Sequence, residues 1–177
     1  FDRDGAHAMS LGGYNSYFGT GSDLMSTYDL ETGEHRTSVL ADVARAARLC
    51  DALPNIDFVM SCAHPNDIEP ARSYLESFRA MVANTTKPMV MTSEHAGDLA
   101  VMCAVAEELC GGPEELAAKP YFIMYLEPVS PLSHPVESLD KLLFCADHGI
   151  PAIYSPAPLA GGTAPITVAG HTCQGVA

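Results

Sequence analysis

Four short apolar runs, Ile56 to Ser61, Pro88 to Thr92, Tyr121 to Tyr125 and Pro151 to Tyr154, begin 32, 33 and 30 residues apart. That interval is the length of a strand, a crossover helix and their two loops, so the chain repeats a βα unit. Helical signals fill the spaces. Ser38 to Leu53 places Val39, Val43, Ala46, Ala47 and Cys50 on one side and stops before Pro54. A second helix begins near Asp67, accommodates Pro70 in its first turn and turns Leu75, Phe78, Met81 and Val82 inward. A third starts at Gly97 or Asp98 and closes at Gly111 and Gly112. The fourth opens at Ser133 to Pro135, carries Val136, Leu139, Leu143 and Ala146 at helical spacing, and ends at Gly149.

Right-handed βα units build a parallel sheet, either open or closed on itself. An open sheet that binds a nucleotide carries a glycine fingerprint after its first strand, and none of these runs is followed by one. The expected fold is therefore α/β: a partial TIM-type (β/α)8 barrel of about four βα units over residues 37–177, preceded by a glycine-rich hairpin or loop segment over residues 1–36, in a single domain. In that first segment Gly12, Gly13, Gly19, Gly21 and Gly33 punctuate aromatic runs, and Thr32 to Glu34 reads as a turn. Four units are half a barrel, and Phe1 at one end and Gly175, Val176, Ala177 at the other read as cuts through a longer protein. Half a barrel exposes strand edges, so self-association into a homo-oligomer is expected.

Acidic residues number 22 against 9 basic ones, a net charge of −13, which would repel a nucleic-acid backbone from most of the surface. No apolar run approaches the roughly 20 residues that cross a bilayer, and no basic, apolar leader precedes the first helix. A cytoplasmic location is the expectation. The six cysteines are dispersed without a CxxC pair and read as buried, reduced thiols.

In a barrel the working side chains stand at the carboxyl ends of the strands. Here those positions hold Ser61 to His64, Ser93 to His95, Glu127 to Pro131, and Ser155 with Pro156. A carboxylate at such an end, Glu94 or Glu127, faces a cation or serves as a cap or ion-pair member. His95 beside Glu94 is a base, a substrate contact or a packing residue. The candidate substrate contacts are Glu94, His95, Glu127, Ser130, Tyr154, Gly162 and Thr163, with no residue assigned to catalysis. Cys62 and His64, with His95, His134 and His171, lack the tight spacing of zinc ligands, so no metal is expected. No GxSxG elbow exists. The rings of Tyr14, Tyr17 and Phe18 near Asp23 and Tyr28 either hold a methylated ammonium or pack as an ordinary hairpin. Gly161 to Pro165 form a loop leading into Ile166 to Ala169.

Five stretches occur in an order that resembles one family: Tyr17-Phe18-Gly19-Thr20-Gly21-Ser22-Asp23, Tyr28-Asp29-Leu30-Glu31-Thr32-Gly33-Glu34, Leu53-Pro54-Asn55-Ile56-Asp57-Phe58-Val59, Pro128-Val129-Ser130-Pro131-Leu132, and Gly161-Gly162-Thr163-Ala164-Pro165-Ile166-Thr167-Val168-Ala169-Gly170. They are similar to the trimethylamine methyltransferase (MttB-type) family. The resemblance implies a β/α barrel that takes a methyl group from trimethylamine or a quaternary amine such as glycine betaine. It also implies transfer of that methyl to the cobalt of a separate corrinoid (cobalamin) protein docked over the mouth. On that reading the chain binds no cofactor directly, and its partners are the cognate corrinoid protein and a small methylated amine. Two readings compete: a metal-dependent barrel lyase or hydrolase, and a noncatalytic amine-binding module.

Overall fold

A computed structural model describes residues 1–176. The first regular element is a hairpin in which β1 (Ser26–Tyr28) pairs antiparallel with β2 (His35–Thr37), Ser26 opposite Thr37 and Tyr28 opposite His35. Its tip is built by Asp29, whose carboxylate accepts the N–H groups of Glu31 at 3.0 Å and Thr32 at 3.1 Å. Gly33, at φ 73°, supplies the left-handed residue that the return needs.

The four expected helices form, although the second begins at Ser73 and not near Asp67, and a further one follows the Gly161 loop. They are α1 (Leu40–Ala52), α2 (Ser73–Val82) after a short 3-10 turn at Pro70–Arg72, α3 (Ala96–Cys110), α5 (Val136–His148) and α6 (Val168–Val176). A short α4 (Pro113–Ala118), entered through Pro113 as its first residue, follows α3 and has no counterpart in the sequence expectation. The carboxyl end of α1 is held by Lys87, whose ammonium donates to the carbonyls of Cys50, Leu53 and Ile56 at 2.7, 2.6 and 2.7 Å. All three of its donors are used, at the negative end of the helix dipole.

Strands β3 (Met89–Met91), β4 (Phe122–Leu126) and β5 (Ala152–Tyr154) form a parallel sheet in the order β3-β4-β5, with Met89 opposite Phe122 and Met124 opposite Ala152. Three of the four expected strands are therefore regular. The run Ile56 to Ser61 is not: it joins the layer through a single parallel bridge from Val59 to Met89. Its other neighbour lies in the segment expected to be a hairpin or loop preceding the sheet. Gly19 bridges Phe58 and Leu24 bridges Ala63, both in parallel. The reason is that side chains take the place of ladder partners there. The Asp57 carboxylate accepts the Phe18 N–H at 2.8 Å, and the Thr20 hydroxyl accepts the Met60 N–H at 2.8 Å while donating to the Met60 carbonyl at 3.2 Å. The layer thus runs from residues 19–24 through 58–63 to β3, β4 and β5. It is an open parallel layer with helices packed on it, and no closed barrel is present among the described residues.

The core lies between this layer and α1 to α3. Phe78 and Met81 from α2, Leu99 and Met102 from α3, and Met89, Phe122 and Met124 from the strands are all buried. Phe78 and Phe122 meet edge-on at 6.0 Å between ring centres. Helix α5 departs from expectation. Its apolar stripe faces outward, with Val136 67% and Leu143 62% exposed, while Lys141 and Cys145 are buried. Periodicity marks a stripe but does not say which neighbour covers it.

Candidate functional site

The carboxyl ends of the parallel runs surround a cavity of about 300 Å³, to which Asp23, Tyr74, Thr92, Tyr125, Glu127 and Lys141 contribute. Asp23 arrives from the outer edge of the layer. It adopts φ 58°, a conformation that Asp tolerates better than bulkier residues. Its N–H donates to the Ser61 hydroxyl at 3.1 Å, and its carboxylate accepts the Thr92 hydroxyl at 3.1 Å. The acid is thereby fixed across the end of the intervening run and over the end of β3.

On the opposite side the Tyr125 hydroxyl donates to Glu127 at 2.7 Å, and this bond to the carboxylate pushes the phenol above its ordinary range. The main chain of Glu127 is fixed from α5, because its carbonyl accepts the Ser138 hydroxyl at 2.9 Å. Burial raises the Tyr74 hydroxyl as well, helped by the charges of Asp23, Glu94 and Asp98. Phenol and carboxyl side chains thus share one concavity, the combination that suits an alkylated ammonium ion.

The seven residues singled out from sequence fall into three groups. Glu127 lines the strand-end cavity. Glu94 and His95 stand exposed beside it, 3.9 Å apart, with the His95 N–H directed to Asp98 at the start of α3. Ser130 and Tyr154 line a second cavity of about 170 Å³, where the Tyr154 hydroxyl shares a 2.8 Å hydrogen bond with His134 and the two rings stack. Gly162 and Thr163 lie in a turn: their N–H groups both donate to the Leu159 carbonyl at 3.0 Å, and the Thr163 hydroxyl accepts the Leu159 N–H at 3.0 Å. These contacts hold the loop in shape and use the polar groups of Thr163 internally.

Sequence reasoning overlooked Thr92, Tyr74 and Lys141, and treated Asp23 only as part of an aromatic cluster. Lys141 carries the clearest overlooked cue, being the only Lys or Arg in α5. Among the described residues no group of three or more His, Cys, Asp or Glu is arranged to hold a metal ion. Nor is any helix among them long and apolar enough to cross a membrane. All six cysteines are unpaired.

Known proteins give this arrangement a context. Relatives include a trimethylamine methyltransferase of Desulfitobacterium hafniense (strain DSM 10664 / DCB-2), 28% identical over 97% of this chain and 36% of its own length. Another, from Methanosarcina barkeri (strain Fusaro / DSM 804), is 32% identical over 86% of this chain and 31% of its own length. A glycine betaine methyltransferase of Desulfitobacterium hafniense (strain Y51) is 25% identical over 95% of this chain and 35% of its own length. The chain spans about a third of the length of the curated relatives it matches. The sequence pattern of the trimethylamine methyltransferase (MTTB) family matches residues 2–177, from one end of the chain to the other, and the chain belongs to that family.

Proposed function

We propose that this chain forms the substrate-binding part of a methyltransferase that removes a methyl group from a small methylated amine. The observation that carries this reading is the strand-end cavity, where Asp23 and Glu127 face a ligand space beside Tyr74 and Tyr125, in a chain of this family. Residues Asp23 and Glu127 balance the charge of the ammonium, and the tyrosine rings shield its methyl groups from water. An alkylated ammonium already carries a good leaving group, so these residues contribute positioning and desolvation rather than acid catalysis. The reduced cobalt of a corrinoid held by a separate partner protein supplies the nucleophile that accepts the methyl. On this reading the βα units, completed by further sequence, close into a barrel with the cavity at its mouth.

Mixing the full-length protein, a reduced corrinoid protein and a panel of methylamines and betaines tests the proposal by the absorbance change of methyl-cobalt formation. Asp23→Asn and Glu127→Gln are each expected to lower the rate at least tenfold, with Glu94→Gln having a smaller effect because Glu94 stands outside the cavity lining. No spectral change with any amine, or full activity in both of the first two variants, rejects it.

A further inference from the structure

Two buried polar groups at the strand-end cavity lack the partners that burial demands. Lys141, 8% exposed, donates to the Ser93 carbonyl at 2.6 Å and makes no ion pair among the described residues. An ammonium has three donors, and Lys87 elsewhere in this chain shows all three satisfied by carbonyls. Ser93, 7% exposed, has a hydroxyl with no hydrogen-bond partner. Both residues line the same cavity, and the Lys141 ammonium donates to the carbonyl of Ser93 itself, which brings the two residues together there. Neighbouring hydroxyls are already committed, Thr92 to Asp23 and Ser138 to the Glu127 carbonyl. A buried cation without an anion is costly unless something completes it.

We propose that Lys141 and Ser93 form an oxyanion subsite that receives a carboxylate carried by the amine substrate. The subsite deepens the amine reading and rests on it: the same cavity presents Asp23 and Glu127 to the ammonium and Lys141 to the opposite charge. Such an arrangement selects a zwitterion over a simple cation, since each end of the ligand meets its complement and a plain tetraalkylammonium leaves Lys141 unpaired. Burial pushes the Lys141 ammonium below its ordinary range, and the charges of Asp98, Glu137 and Glu94, none of them hydrogen-bonded to it, oppose that shift in part.

Binding calorimetry on the full-length protein, with glycine betaine, tetramethylammonium and acetate as probes, tests this without requiring methyl transfer. Glycine betaine is expected to bind about tenfold more tightly than tetramethylammonium, and acetate to compete with it. Lys141→Met should weaken glycine betaine about tenfold or more, and Ser93→Ala a few-fold, with tetramethylammonium changed less than twofold by either. Should Lys141→Met fail to fold, Ser93→Ala decides, because its hydroxyl supports no other residue. The proposal is overturned if the parent protein does not bind glycine betaine, if both variants affect the two cations equally, or if acetate binds without competing. Lys141-dependent binding in a protein that forms no methyl-cobalt would keep the subsite and reject the methyltransferase.

Discussion

The parallel layer ends differently on its two sides. At one side residues 19–24 lie against 58–63 through two isolated bridges, reinforced by Asp57, Thr20 and Ser61 side chains. At the other, β5 is an ordinary ladder strand, yet Ala152 and Ile153 remain exposed. The irregular edge therefore carries more specific chemistry than the regular one. Backbone pairing joins any two extended segments, whereas side-chain pairing fixes which residues meet, and it is the irregular edge that delivers Asp23 to the cavity.

Stability measurements in the full-length protein can break this contrast, with the centre of the layer setting the scale. Phe122→Ala removes a fully buried ring that packs on Phe78 and should cost about 3–5 kcal/mol in urea unfolding. At the irregular edge, a Cβ on Gly19 would lie 2.2 Å from the Phe58 ring, so Gly19→Ala must displace that ring and should cost about 1–3 kcal/mol. Thr20→Val strands the Met60 N–H and should cost about 1–3 kcal/mol, with faster amide exchange at Met60. At the regular edge, Ile153→Thr should stay within about 0.5 kcal/mol. Equal costs at both edges would remove the distinction.

The smallest expected effect lies in the hairpin that follows the irregular edge. Hydrogen bonds from the Thr32 and Glu31 N–H groups, then from Arg36, lower the Asp29 carboxyl from 3.8 to about 2. Because the folded value is depressed, the stabilisation is full above the unfolded value and disappears as pH falls from about 4 to about 2. The Asp29 carboxyl resonance should titrate near 2 by NMR; a midpoint near 3.8 would show that the turn is not formed.

Much of the helical framework was legible because each helix carries its own signal. Gly111 and Gly149 close α3 and α5 in the left-handed conformation their sequence positions suggest. The site was less legible. Glu127 was found from its place after β4, a position defined along the chain. Asp23 and Thr92 are 69 positions apart, and nothing local to either announces the bond between them. Lys141 was missed because a lone lysine in an acidic helix reads as a solvated residue, and only the packing of α5 turns it inward.

The sequence by itself determined the βα spacing, the glycine-closed ends of α3 and α5 and the membership in a family, since all of these are carried by spacing and by ordered short motifs. The tertiary structure decided which residues share the cavity, that residues 19–24 belong to the layer, and that α5 buries Lys141 instead of its apolar stripe. The physical reason is one of range. Periodicity and capping act within a few turns of chain, whereas burial and the pairing of polar groups depend on segments that meet only after folding.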